Sequence, residues 1–128
     1  MIEKLLYFQR NSYSPYSNYQ VSAVVVMKDG TEFYGVNVEN ASYGATICAE
    51  RNAILSAITA GYKKGDFFEL HVMVSSGKIG MPCFLCRQVI SEFFDQNSKV
   101  YCYNTSGKVE TYTVAELCPY PFGEEDLK

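Results

Sequence analysis

The sequence predicts an α/β fold: a single-domain, three-layer structure in which a mixed five-stranded β-sheet carries helices on both faces, with the last two strands antiparallel. Three observations predict it. Strand-like and helix-like periodicities follow one another in the order β-β-α-β-α-β-β, the pattern of a sheet covered by helices. The connection Asn104-Thr105-Ser106-Gly107 between the last two strands is four residues long, too short for a parallel crossover. The chain has 128 residues, 48% of them hydrophobic, which suits one domain, residues 1–128, around one core.

Each element has a local justification. Ile2, Leu5, Leu6 and Tyr7 or Phe8 recur at helical spacing and predict a short opening helix; Pro15 ends that mode. Residues 12–19 form a polar, aromatic loop whose tyrosines either pack on the surface or line a pocket. Val21–Met27 is β-branched and apolar, Asp29-Gly30 is a turn signal, and Glu32–Val36 resumes with aromatic and β-branched residues, so the pair reads as a hairpin. Residues 37–47 are dense in hydrogen-bonding side chains. They suit either the fixing of sugar hydroxyls or turn and capping chemistry.

Residues 48 to about 60 predict a helix with Ala49, Ala53, Ile54, Ala57 and Ile58 as its buried stripe and Gly61 as its stop. Residues 67–75 read as the next strand. Residues 76–80 form a loop that delivers the chain to Pro82, a residue suited to the first turn of a helix over 83–94. Strands follow at 99–103 and 109–112. Thr113 and Glu116 then make a capping box for a short helix ending at Pro119.

Bulk properties exclude several functions. The net charge is -3 and the Lys and Arg residues are scattered, so the basic footprint of a nucleic-acid-binding protein is missing and a small, weakly charged substrate is favoured. No apolar run has the length of a membrane span, and charges at Glu3, Lys4 and Arg10 argue against a signal peptide or anchor. Five cysteines, at 48, 83, 86, 102 and 118, are odd in number. They fit a reducing cytoplasm better than a disulfide framework.

The chemistry concentrates in Cys48-Ala49-Glu50-Arg51 and Pro82-Cys83-Phe84-Leu85-Cys86-Arg87-Gln88. Cys83 and Cys86, at i and i+3, share a helix face. Cys48 and Glu50, at i and i+2, serve one site only from the first turn of a helix, where the helix dipole favours a thiolate. Three thiolates suit zinc, and a catalytic zinc keeps its fourth position for water. A ligand, a Glu two residues on and a later P-C-x-x-C is the known pattern of zinc deaminases, in which the Glu moves protons. A bare C-x-x-C is weak evidence; the C-x-E and the proline make it specific. The bland alternatives are core thiols or a closed structural zinc site. The latter lacks an evident fourth ligand, because the only histidine, His71, falls in the apolar run Leu70-His71-Val72-Met73-Val74 and reads as structural.

Val36-Asn37-Val38-Glu39-Asn40-Ala41-Ser42-Tyr43, Cys48-Ala49-Glu50-Arg51 and Pro82-Cys83-x-x-Cys86-Arg87-Gln88-Val89 resemble the small homotetrameric zinc-dependent cytidine deaminases of pyrimidine salvage, and the similarity runs from Tyr16 to the C-terminus. The resemblance implies a cytidine deaminase-like fold and one zinc ion per subunit, held by Cys48, Cys83 and Cys86. It implies Glu50 as the proton shuttle that activates zinc-bound water for attack on C4 of the cytosine ring, and Arg51 as a donor to the zinc thiolates. Asn37 and Glu39 would bind the ribose hydroxyl, Tyr19 would lie near the base, and the backbone at Ala49 would read the pyrimidine edge. Phe122 and Tyr43 would reach a neighbouring subunit's site. The partners implied are a pyrimidine nucleoside and further copies of this chain, with neither nucleic acid nor membrane.

The chain departs from the family at Met81, Phe84 and Leu85, where Ser, Gly and Ala are usual. Bulk there leaves open which nucleoside is preferred. A deaminase of blasticidin S or another aminopyrimidine nucleoside, and a catalytically silent zinc-binding assembly domain, are the alternatives weighed. The 37–43 run speaks against the first and Glu50 against the second. Cys102 and Cys118 read as core thiols.

Overall fold

The structure, a computed structural model, describes residues 1–128. In chain order the elements are α1 (Ile2–Gln9), β1 (Val21–Met27), β2 (Glu32–Val36), α2 (Ala49–Thr59), β3 (Phe67–Val74), α3 (Phe84–Phe93), β4 (Phe94–Tyr103), β5 (Val109–Thr113) and α4 (Val114–Leu117), with 3-10 turns at Tyr43–Ala45 and Glu124–Leu127. The five strands form one sheet in the order β2-β1-β3-β4-β5. Only β3 and β4 pair in parallel; every other pair, including β4 with β5, is antiparallel.

This topology brings two helix ends together. Strands β2 and β3 both run antiparallel to β1, which lies between them, so they are parallel to each other. Helix α2 carries the chain from β2 to β3, and α3 carries it from β3 to β4. Both crossovers advance across the sheet in one direction, so right-handed connections put α2 and α3 on the same face with their N-termini at the same edge.

Alternation along the strands divides the core into two layers. Ala23, Val25, Leu70, Val72, Val100 and Cys102 pack with Ala53, Ile54 and Ala57 of α2, Ile90 of α3 and Leu117 of α4. Fully burying a side chain such as Ile54 contributes about 1.5–3 kcal/mol. On the other face Val24, Met73 and Tyr103 lie under Leu5 of α1. Buried Ser22 is explained there too, since its hydroxyl donates to the Leu5 carbonyl at 2.7 Å.

His71 belongs to that second layer. Its ring nitrogens lie 2.8 Å from the Tyr103 hydroxyl and 3.0 Å from a Glu69 carboxylate oxygen, and it stacks on Tyr101. Burial lowers its pKa, against the Glu69 carboxylate, which raises it. It is a structural histidine on the face away from α2 and α3.

Helix α2 rests directly on β2. A Cβ at Gly35 would meet the Ala49 carbonyl oxygen at 2.3 Å and the Ala53 nitrogen at 2.6 Å, so only glycine allows this approach. Two boundaries differ from the sequence reading. Cys83, not a residue further back, caps α3, which leaves Pro82 before the cap instead of in the first turn. Strand β4 begins at Phe94 instead of 99, because Phe94 pairs with Phe67 across a register shift before the regular ladder starts at Lys99.

Candidate active site

The N-termini of α2 and α3 present their thiols to one another. Cys48 is the N-cap of α2 and Cys83 the N-cap of α3, while Cys86 lies one turn into α3, fully buried. The three Sγ atoms lie within 4.8 Å of one another. Tetrahedral zinc with bonds of about 2.3 Å sets its sulfur ligands roughly 3.8 Å apart, and the Cys48 and Cys83 Sγ atoms are 3.8 Å apart. The donor set and the spacing therefore fit zinc. All five cysteines are free.

Charge is arranged around the thiols as metal binding requires. Arg51 Nη2 donates to Cys48 Sγ at 3.4 Å, and the Cys86 backbone N–H donates to Cys83 Sγ at 3.4 Å. The hydrogen bond from Cys86, followed by those from Arg51 and Cys83, pulls the Cys48 thiol down to about 5 against the opposing cost of burial. The same contact pushes the Cys86 thiol upward, with burial adding to it. The cluster thus favours a thiolate on Cys48, and a divalent cation bound there would favour deprotonation of the thiols that ligate it.

Glu50, the second residue of α2, is 4% exposed and points into the same cavity. Burial pushes its carboxyl up to about 7, opposed by its own backbone N–H, while the Cys48 thiolate pushes in the same direction as burial. A carboxyl that titrates near neutrality is suited to both accepting and returning a proton.

The cavity over these groups has a volume of about 390 Å³. Cys48, Ala49, Glu50 and Cys83 line its metal end. Tyr19, Val72, Val74, Gly80 and Met81 form its walls, and Asn37, Glu39, Ser17 and Thr46 its polar end. Ala49 is the first helical residue, so its N–H lacks an intrahelical acceptor and is available to a ligand. Partial burial, and after it the nearby Glu50 carboxylate, raises the pKa of Tyr19. Its hydroxyl fits against Gly80, where a Cβ would meet it at 2.3 Å and Val74 Cγ1 at 2.8 Å.

The polar end is largely committed to holding its own loop. Asn37 Oδ1 accepts from the Val21 N–H and the Ser12 hydroxyl, and Nδ2 donates to the Tyr19 carbonyl at 2.8 Å. Glu39 accepts from the Tyr16 and Ser17 N–H groups and from the Ser17 hydroxyl. Set against the capacity of each group, this leaves one N–H on Asn37 and one lone pair on Glu39. One donor and one acceptor are the complement of a single hydroxyl.

The structure brings Cys48, Cys83, Cys86, Glu50, Arg51, Ala49, Tyr19, Asn37 and Glu39 to one place. It does not bring Tyr43 and Phe122 there. Tyr43, 78% exposed, lines an adjoining cavity of about 360 Å³ with Tyr16, Glu39 and Asn40. Phe122 is 57% exposed on the C-terminal tail. Of the unusual bulky residues only Met81 lines the site cavity; Phe84 lies under the Arg87 guanidinium, 4.5 Å from ring centre to cation, and Leu85 is exposed. Thr46 and Gly80 were not singled out from the sequence. Nothing local distinguishes Thr46, whereas Gly80 sits in the loop just before the motif proline.

The fold and this site define a zinc-dependent deaminase-type enzyme. A family model described as the cytidine and deoxycytidylate deaminase zinc-binding region matches residues 1–104. The chain is 39% identical over 127 residues to the cytidine deaminase of Halalkalibacterium halodurans, which covers 99% of this chain and 95% of that protein. It is 40% identical over 119 residues to the cytidine deaminase of Sporosarcina psychrophila, covering 93% of this chain and 86% of that protein. The crystal structure of cytidine deaminase from Burkholderia pseudomallei matches with a TM-score of 0.90 at 40% identity, covering 94% of this chain and 95% of that chain. The chain belongs to the cytidine and deoxycytidylate deaminase family.

Proposed function

We propose that this chain catalyses the hydrolytic deamination of cytidine and deoxycytidine to uridine and deoxyuridine, releasing ammonia. The observation that carries the reading is the meeting of three thiols with a buried, near-neutral carboxyl on the floor of one cavity. Cys48, Cys83 and Cys86 would hold one zinc ion per subunit. When bound, zinc acidifies water and so supplies a nucleophile at neutral pH. Glu50 accepts the proton of the attacking water and delivers protons to N3 and to the departing amine of the ring.

The other residues bind and tune. Arg51 places a positive charge beside the thiolates, which otherwise overcompensate the metal's charge and weaken its Lewis acidity. Tyr19 flanks the base, and the Ala49 N–H meets the polar pyrimidine edge. Asn37 and Glu39 hold one sugar hydroxyl between them. A single-hydroxyl site is consistent with accepting both ribo- and deoxyribonucleosides.

The chain acts as a homotetramer in which Phe122 and Tyr43 of one subunit complete a neighbour's site, and it serves pyrimidine salvage in the cytoplasm. Exposure of both aromatic rings outside the cavity of their own subunit supports this placement. No helix of the structure is long and apolar enough to cross a membrane.

The test is ammonia release by zinc-loaded protein given cytidine, deoxycytidine and blasticidin S side by side. Comparable turnover of the first two and little of the third is expected. Selective use of blasticidin S would overturn the assignment.

A further inference from the structure

The two residues after Cys86 have no part in the chemistry, yet every hydrogen bond their side chains make goes to a backbone carbonyl. Arg87 Nε donates to the Pro82 carbonyl at 2.8 Å, and its Nη1 donates to the Leu117 carbonyl at 3.0 Å. Gln88 Nε2 donates to the Phe122 carbonyl at 2.8 Å. Pro82 is bonded directly to Cys83, and Leu117 is the last residue of α4, from which the tail departs. A rigid guanidinium fork therefore spans the loop before one thiol and the root of the tail. Gln88 fixes the same tail five residues further on.

Acceptors that are all carbonyl oxygens fix the path of the chain, not the pose of one side chain. Within one chain, the only other hydrogen bond of the tail between the two anchors runs from the Cys118 N–H to the Val114 carbonyl at 2.9 Å. Tyr120 adopts φ +52, a conformation sparsely populated by residues with a Cβ, and its side chain is fully exposed.

We propose that Arg87 and Gln88 are positioning residues that couple metal occupancy at Cys83 and Cys86 to the order of the tail between Leu117 and Phe122. An ion that ties the Cys83 loop to α3 fixes the Pro82 carbonyl where one arm of Arg87 needs it. The other arm then meets Leu117 at a smaller entropic cost. Because coupling free energies are reciprocal, a docked tail retains the metal more tightly by the same factor. The inference rests on the reading of the three thiols as zinc ligands.

Two measurements on the full chain test it: hydrogen exchange across residues 118–123 with and without zinc, and zinc retention against a chromogenic chelator. Removing zinc is expected to speed exchange in the tail about fivefold or more while β5 is unchanged. Gln88→Ala, which touches neither a thiol nor the Pro82 loop, is expected to loosen the tail and weaken zinc retention by a similar factor. Arg87→Lys, which keeps the charge but loses the fork, is expected to change both in the same direction. A tail indifferent to zinc, or a Gln88→Ala protein with a loosened tail and unchanged zinc retention, overturns the coupling alone. Failure of the wild-type protein to take up zinc overturns the site assignment and the coupling with it.

Discussion

Glu50 is a carboxyl with 4% exposure and no salt-bridge partner, a placement that costs stability. Its ordinary pKa of 4.5 rises to about 7 in the fold, chiefly through burial. Between those two pH values the folded protein binds the proton and the unfolded chain does not, so stability falls as pH rises through that window. Glu50→Gln removes the penalty. In chelator-treated protein, the denaturant midpoints of wild type and Glu50→Gln should nearly coincide in their trend below pH 4.5. The variant should gain by about 3 kcal/mol above pH 7. A difference independent of pH would mean that Glu50 is not desolvated as described.

At the same scale, the meeting of Cys48, Cys83 and Cys86 beside Glu50 was legible in the sequence because each of the two motifs is local. The commitments of Asn37 were not, because its partners Ser12, Tyr19 and Val21 come from a loop and strand far away along the chain. A pattern of polar residues marks where hydrogen bonds form. It does not say how many are left for a ligand.

At the scale of elements, strands β1 and β2 were readable to the residue, since β-branched runs and the Asp29-Gly30 turn bound them closely. The early start of β4 was not readable. Asp95, Gln96 and Asn97 are exposed, and a segment that buries nothing leaves no periodicity to detect. The contact of α2 with β2 at Gly35 was equally silent, and it sets the position of Cys48 and Glu50. Gly35→Ala forces the helix backbone away from the sheet, which by analogy with overpacked cores costs about 1–3 kcal/mol. A displacement approaching 1 Å at the site lowers turnover by roughly a hundredfold. Thermal unfolding together with nucleoside turnover checks this. An alanine variant with unchanged stability and activity would show that α2 does not need its close seat.

At the scale of the whole molecule, the order β2-β1-β3-β4-β5 does the assembling. Two crossovers advancing in one direction bring to one edge helix ends that are 35 residues apart in sequence, Cys48 and Cys83. The order of strand and helix periodicities was enough to foresee that both helices share a face. The subunit contacts are expected from the resemblance alone, because one chain's pattern does not say what covers Tyr43 or Phe122. If a neighbour's site is completed by Phe122, Phe122→Ala should raise KM more than it lowers kcat, and dilution should reduce wild-type activity as sedimentation shows the assembly dissociating. A fully active monomer would defeat the shared site.

In the proposed reaction three thiols hold zinc while Glu50 moves the protons. Zinc content and uridine formation measured together in wild type and Glu50→Gln test it most directly. One zinc per subunit is expected in both proteins, with turnover lower by about 10²–10⁴-fold in the variant. A Glu50→Gln enzyme with near-normal turnover, or a wild-type enzyme fully active without zinc, would contradict it.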